Sequence, residues 1–329
     1  MRYLLTGGAG YIGQALTHKL RAEEPAATIV LYDNSEQNLA SAQQRFGNDN
    51  MRYVLGDVRQ YDDLLGVLRK VDAVVHLAAR KHVHFTNYSA GEAVATNIIG
   101  TMNLIKASLA TEGVKRVVNV SSDKACLAST LYGSTKLVGE FLTRWGYLIG
   151  NYKTKFVSVR FGNVLGSSGS VLEIWRERAK AGKPLTVTNW DMKRFVMLGE
   201  QAADLICEAM LHPDSAGCVV VKTMPCTTLE MLFKAFDAAW GRQVVCERGL
   251  AVERKPSDPG EKVDEDLVSD QEVLYSKRYG DYILLGPPMG YSGEKTGFST
   301  RNAPLMKPEE LEAMVTKATF SATCQAPTR

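Results

Sequence analysis

Tyr132 and Lys136 stand four residues apart in Tyr132-Gly133-Ser134-Thr135-Lys136. On a helix that spacing puts both side chains on one face, one turn apart. A tyrosine ordinarily ionises near pH ~10, so it serves as a base only beside a cation, and Lys136 is suited to supply that charge. Upstream, the run Val120-Ser121-Ser122-Asp123-Lys124-Ala125 places an acid and a base side by side after an apolar stretch. At the carboxyl end of a strand such a pair can protonate a leaving hydroxyl and take a proton from carbon. In an exposed loop it would be no more than a salt-bridging dipeptide.

A second group of residues suits a phosphate-bearing ligand. Thr6-Gly7-Gly8-Ala9-Gly10-Tyr11-Ile12-Gly13 follows an apolar run and opens a helical pattern, with Gly7, Gly10 and Gly13 spaced G-x-x-G-x-x-G. Glycines there allow a tight turn, close backbone approach to a pyrophosphate and close helix–strand contact. The amides at the helix start then face the phosphate charge. Asp33 lies about twenty residues past Gly13, where an acid can accept hydrogen bonds from an adenosine ribose. No Arg or Lys falls between Asp33 and Gln44, so a 2′-phosphate finds no counter-charge and NAD is expected rather than NADP. Asp57 and Val58 after a third strand suit an adenine edge, and Ala78 and Ala79 after a fourth offer small residues beside a nicotinamide.

These positions require an alternating scaffold. Arg2–Thr6, Ala27–Tyr32, Arg52–Leu55, Ala73–Leu77, Arg116–Val120 and Phe156–Phe161 read as strands; Tyr11–Ala22, Asn38–Phe46, Leu64–Leu68, Ala90–Leu109 and Leu131–Leu148 read as helices. The expected fold class is α/β, a Rossmann-type doubly wound parallel sheet. Beyond about residue 165 the pattern loosens, with helices expected at Val171–Ala181, Ala202–Leu211, Leu229–Ala239 and Pro308–Ala318. Residues 1–165 are expected to form the nucleotide-binding domain, with a return to its sheet at about 192–222. Residues 166–329 are expected to be mainly a smaller, mixed α/β substrate lobe, with a charged segment over 253–270 and a frayed tail over 319–329.

Composition excludes several classes. The 329 residues are 45% hydrophobic and 23% charged, with a net charge of +3. That balance argues against disorder as the main state and gives no nucleic-acid footprint. Six cysteines are scattered without C-x-x-C spacing, so neither a zinc cluster nor a disulfide framework is indicated. His76, His82 and His84 are expected to be structural, and no metal is expected. Trp175, Trp190 and Trp240 read as core or pocket-wall residues. No apolar run reaches the roughly 20 residues that cross a bilayer, and the first residues read as a buried strand, not a signal peptide. A cytoplasmic, soluble protein is expected.

Taken together, the glycine motif and Tyr-x-x-x-Lys resemble the extended short-chain dehydrogenase/reductase family over nearly the whole chain. The order of further segments narrows this: Ala78-Ala79-Arg80-Lys81-His82-Val83, Thr96-Asn97-Ile98-Ile99-Gly100, Ser122-Asp123-Lys124-Ala125, Arg160-Phe161-Gly162-Asn163-Val164, Gly169-Ser170-Val171, Lys193-Arg194-Phe195 and Pro259-Gly260-Glu261-Lys262. They resemble the UDP-N-acetylglucosamine 4,6-dehydratases of the polysaccharide-biosynthesis type, chiefly the inverting branch.

The resemblance implies an NAD-dependent hydro-lyase. It makes Tyr132 the base at the sugar 4-hydroxyl, Lys124 the base at carbon 5, Asp123 the acid at the departing 6-hydroxyl and Ser122 a partner of the 4-oxygen, with Lys136 beside the nicotinamide ribose. It adds Lys81 and Asn97 to the cofactor contacts. Substrate contacts are implied at Lys81, His82, Asn163, Ser170, Val171, Arg194 and Glu261, and a homodimer or higher homo-oligomer through Ala90–Leu109 and Leu131–Leu148. Two departures stand out. Cys126-Leu127-Ala128-Ser129-Thr130 replaces a stretch that usually carries proline and asparagine, and Tyr32-Asp33-Asn34 replaces a Ser-Arg feature that admits NADP. A nucleotide-sugar 4-epimerase needs the Tyr–Lys pair but not Asp123 and Lys124. A related 5,6-dehydratase, or a catalytically silent NAD sensor, would also keep the nucleotide motif.

Overall fold

The computed structural model describes residues 1–81, 88–243, 250–286 and 296–320. Six strands, β1 (Arg2–Thr6), β2 (Thr28–Asp33), β3 (Met51–Leu55), β4 (Ala73–His76), β5 (Arg116–Val120) and β6 (Lys155–Arg160), pair in parallel in the order β3-β2-β1-β4-β5-β6. This is the doubly wound arrangement, with its switch point between β1 and β4, where ligands bind at the strands' carboxyl ends. Both faces are covered, as near-continuous apolar strands require. In β1 and β2, Tyr3, Leu5, Ile29 and Leu31 enter one core while Leu4, Val30 and Tyr32 enter the other.

Crossovers are helical: α1 (Tyr11–Glu23), α2 (Glu36–Phe46), α3 (Tyr61–Val67), α4 (residues 90–109) and α5 (Leu131–Ile149). Within α4, Ala95–Ile99 widens into a π turn, a local distortion often found at functional sites.

After β6 the chain builds the lobe. Its strands are β7 (Asn163–Val164), β8 (Leu185–Val187) and β9 (Lys193–Met197), with α6 (Val171–Lys180) between them. Next, α7 (Gly199–Leu211) packs beside α1, and β10 (Val219–Lys222) joins the large sheet parallel to β6. The lobe then adds β11 (Cys226–Thr228), α8 (Leu229–Gln243), β12 (Val252–Arg254), β13 (Asp266–Val268), β16 (Phe298–Ser299) and α9 (Pro308–Phe320). Trp175 and Trp240 are buried in the lobe core with Phe236, Leu311 and Val315, and Trp190 packs against it.

Between β13 and β16 a hairpin, β14 (Ser276–Tyr279) and β15 (Tyr282–Leu285), returns to the large sheet and pairs antiparallel with β10. Among the described residues the sheet therefore has nine strands. Among the described residues no helix is long and apolar enough to cross a membrane. No group of three or more His, Cys, Asp or Glu side chains among them is gathered around a metal position. His76 is buried between the hydroxyls of Thr6 and Thr101, and burial, with the Lys136 charge, lowers its pKa to about 3. His84 lies outside the described residues.

Candidate active site

A cavity of about 490 Å³ runs along the carboxyl ends of the strands. At one end, the turn from β1 into α1 is drawn tight by glycine. Gly7 has φ +66°, and a Cβ there would lie 2.7 Å from the Ala78 amide nitrogen. A Cβ on Gly13 would lie 2.3 Å from the Gly8 carbonyl oxygen. Neither approach tolerates a side chain, so the loop, β4 and α1 come together only with glycine at both positions. Gly10, Tyr11, Ile12 and Gly13 line the cavity, where the open amides of the first helical turn can meet phosphate charge.

Asp33 ends β2 at the same cavity. Its carboxylate accepts hydrogen bonds from the Ala9 amide at 3.2 Å and the Ser35 amide at 3.0 Å. Burial nevertheless pushes its pKa up, against those amides. Asp57 and Val58 line the wall beyond Tyr32, with Asp57 held by Arg59 at 2.6 Å. Ala78, Ala79 and Lys81 line the opposite side. The glycine cradle, the Asp33 carboxylate and the small residues after β4 fit a dinucleotide.

Asn97 is placed differently from its sequence-based expectation. It is not among the lining residues; it is buried in the π turn behind them. Its Oδ1 accepts from the Arg80 amide at 2.7 Å, and its Nδ2 donates to the Arg80 carbonyl at 3.0 Å and to Thr135 Oγ1 at 2.9 Å. Asn97 thus ties the segment after β4 to α5, one residue before Lys136.

Ser122, Asp123, Lys124, Tyr132 and Lys136 also stand on the cavity wall. After β5, Ser122 caps a single turn over Asp123–Ala125. The start of α5 presses against that turn: a Cβ on Gly133 would lie 2.1 Å from the Lys124 carbonyl oxygen. Ser122 Oγ donates to Asp123 Oδ1 at 2.9 Å, and Lys124 Nζ donates to the same oxygen at 3.2 Å. Asp123 Oδ2 is buried and has no hydrogen-bond partner among the described residues.

Burial pushes the Tyr132 phenol up; the Lys124 charge and a hydrogen bond with Ser122 oppose it. Lys136 turns to the Val120 carbonyl at 2.7 Å, and burial lowers its pKa to about 8, against Glu140. The cation set against the phenol in the structure is therefore Lys124, where the helical spacing had pointed to Lys136. Burial also works against the Lys124 ammonium, but Asp123 and Glu265 outweigh it and raise its pKa above the ordinary lysine value.

Of the expected substrate contacts, Lys81, Asn163 and Ser170 line the cavity, together with Phe161, Gly162 and the loop Ser167–Gly169. Val171, Arg194 and Glu261 do not. Arg194 is drawn behind the wall by carboxylates, Glu261 at 3.3 Å and Glu265 at 3.9 Å. His82 lies outside the described residues.

Four groups, Glu265, Arg160, Glu140 and Glu272, were not assigned to the site from the sequence. Glu265 is 2% exposed and stands 3.5 Å from Lys124 Nζ. Arg160, fully buried, binds Glu140 at 2.6 Å and Glu272 at 2.8 Å. The same Glu140 accepts from Ser121 at 2.6 Å, fixing the strand end beneath the reactive turn. Glu265 and Glu272 come from the charged segment that follows the lobe's helices, which also bonds the turn's far side through Lys262 to the Cys126 carbonyl at 2.9 Å.

The profile of a family described as polysaccharide biosynthesis protein matches residues 3–286. A UDP-N-acetylglucosamine 4,6-dehydratase (inverting) of Campylobacter jejuni is 30% identical over 300 residues, covering 90% of this chain and 86% of that one. A UDP-glucose 4-epimerase of Rickettsia akari is 28% identical, covering 86% and 82%. Among solved structures, Pen from Bacillus thuringiensis superposes with a TM-score of 0.90 at 34% identity, covering 96% of this chain and 97% of that one.

Proposed function

Because the chain belongs to the polysaccharide biosynthesis protein family, we propose that it is an NAD-dependent nucleotide-sugar dehydratase. The substrate is UDP-N-acetylglucosamine, oxidised at carbon 4 and stripped of water across carbons 5 and 6. The observation that carries this reading is the adjacency of Asp123, Lys124 and Tyr132 on one cavity wall. Oxidation at carbon 4 calls for the tyrosine alone; elimination calls for an acid and a base as well.

NAD, held in the glycine cradle beside Asp33, would accept the carbon-4 hydride and return it at carbon 6 once the hydroxyl there has left, while Lys124 hands its proton back to carbon 5. The protein's own groups move the protons. Tyr132 takes the proton of the 4-hydroxyl. With carbon 4 at the ketone level the carbon-5 proton becomes acidic, and Lys124 removes it. Asp123 protonates the 6-hydroxyl, which leaves as water. The proton lost at oxygen 4 balances the one gained by the departing water, and Tyr132, Ser122 and Asp123 form a hydrogen-bonded path between those two points.

A homodimer belongs to the same reading. Ile99 on α4 and Val138, Phe141, Trp145 and Leu148 on α5 are exposed, the last four at helical spacing that makes one apolar stripe. The epimerase-named relative supports a second reading, 4-epimerisation, which would leave Asp123 and Lys124 idle. Mass spectrometry of the product from UDP-N-acetylglucosamine and NAD decides between them. Loss of one water is expected; a product of unchanged mass would replace dehydration by epimerisation.

A further inference from the structure

Lys124 faces a difficulty under the proposed reaction. A base must be neutral before it accepts a proton, yet Lys124 is held as ammonium by the two carboxylates beside it. We propose that Glu265 is the internal proton acceptor that frees Lys124 to act as a base at carbon 5. This deepens the dehydratase reading and rests on it.

The geometry favours Glu265 over its neighbours. It reaches Lys124 from behind the cavity wall, at 3.5 Å. Its Oε2 is buried without a hydrogen-bond partner among the described residues, leaving an oxygen able to carry a proton. Its backbone is fixed on both sides by Thr300: the Thr300 amide donates to the Glu265 carbonyl at 2.9 Å, and the Glu265 amide donates to Thr300 Oγ1 at 3.1 Å. The charged and titratable groups facing it are Asp123 and Lys124 from the reactive turn, Arg194 from β9 and Lys262 from its own segment. Burial, with the Asp123 charge, pushes its pKa up against the three cations. Asp123, in contrast, has one oxygen engaged by Ser122 and Lys124 and is needed as the acid at the 6-hydroxyl.

The step conserves charge within the pair. An N–H bond of the Lys124 ammonium breaks and an O–H bond forms on Glu265, leaving a neutral amine and a neutral carboxylic acid. The amine's lone pair then forms an N–H bond with the carbon-5 proton, and the C–H electron pair passes into the enolate of the 4-ketone. No proton is exchanged with solvent before carbon 5 is attacked.

That last feature gives a signature. In deuterated water, with the full chain, NAD and UDP-N-acetylglucosamine, solvent deuterium entering carbon 5 should be nearly independent of pH between about 6.5 and 9, below the ordinary lysine range. In Glu265→Gln the ammonium must lose its proton to solvent. The exchange should slow on the order of 10²–10³-fold near neutral pH and climb about tenfold per pH unit. Formation of reduced cofactor on mixing, which reports carbon-4 oxidation, should stay within about threefold, because Tyr132 is untouched. Glu265→Asp keeps a carboxylate and should restore the flat profile. A purely structural Glu265 would lower the rate equally at every pH. A flat profile in Glu265→Gln, or a sloped one in Glu265→Asp, overturns the inference. If Glu265→Gln does not fold, the parent decides: exchange that already climbs tenfold per pH unit overturns it. A parent that neither loses water nor exchanges deuterium removes the dehydratase reading, and this inference with it.

Discussion

Asp33 is buried and Tyr132 half-buried at the cavity, and the loss of solvent raises the pKa of each. What differs is the compensation. Asp33 is held by backbone amides from the glycine loop and from the start of α2, so its charge is fixed at the cavity wall, where the proposed reading sets it against a 2′-phosphate. Replacing it with alanine should narrow a preference for NAD over NADP by about ten- to a hundredfold, the value of one or two charge-assisted hydrogen bonds. Calorimetric titration of both cofactors reads this directly; equal or tighter NADP binding by the parent would remove Asp33 as the discriminating group. Tyr132 is compensated by a side-chain cation and a hydroxyl. Tyr132→Phe deletes one oxygen and no packing, so turnover should fall by about 10²–10⁴-fold with NAD affinity nearly unchanged. Undiminished turnover would take Tyr132 out of the reaction.

Among the elements, the segment carrying Glu261–Glu272 is what closes the reactive turn. It bonds the turn at Cys126 and Lys124 and, through Glu272, the end of β6 at Arg160. Burial alone would raise the Glu272 pKa, but the Arg160 guanidinium overrides it and brings the value down to about 2. A carboxylate depressed in the folded state stabilises the protein above its unfolded pKa of about 4.3 and loses that contribution as pH falls through the folded value. Glu272→Gln should therefore cost on the order of 3 kcal/mol at neutral pH, and the gap between variant and parent should close between about pH 4.5 and 2 in urea melts. A gap unchanged by acid would mean that the ion pair contributes nothing.

The contrast between what was legible and what was not follows from range. The β1–α1 cradle is encoded by three glycines within seven residues, and Tyr132 and Lys136 by one helical turn, so local spacing suffices. Glu265 reaches Lys124, and Glu272 reaches Arg160, across more than a hundred residues, from a charged stretch without periodicity. Side-chain direction is likewise silent in the sequence, which is why Lys136 is read as the partner of Tyr132 although it bonds Val120. The hairpin β14–β15 escapes notice because its strands are short and it joins the sheet only after the lobe has intervened.

At the scale of the whole molecule, the apolar stripe on α5 has a direct test. Phe141, 60% exposed, becomes a charge in Phe141→Glu, which should convert a dimer into a monomer in sedimentation velocity, with the melting temperature of the monomer unit little altered. A parent that sediments as a monomer would remove the stripe as an interface. The path of the chain has a consequence of its own. The nine-stranded sheet grows outward from β1, first to β3 on one flank and then through β4, β5, β6 and β10 on the other, and its final two strands and the Glu272 partner of Arg160 arrive only after most of the lobe. Arg160 and Glu272 are 112 residues apart, which at about 5–20 residues per second is on the order of ten seconds of synthesis. During that interval a nascent chain has β1 to β6 in hand, but the exposed edge of β6 or β10 is uncovered and the Arg160 guanidinium lacks one of its carboxylates. The ribosome therefore delivers a sheet edge and a partly paired cation well before their partners. The emerging protein must be shielded from pairing with other chains until its hairpin closes the sheet.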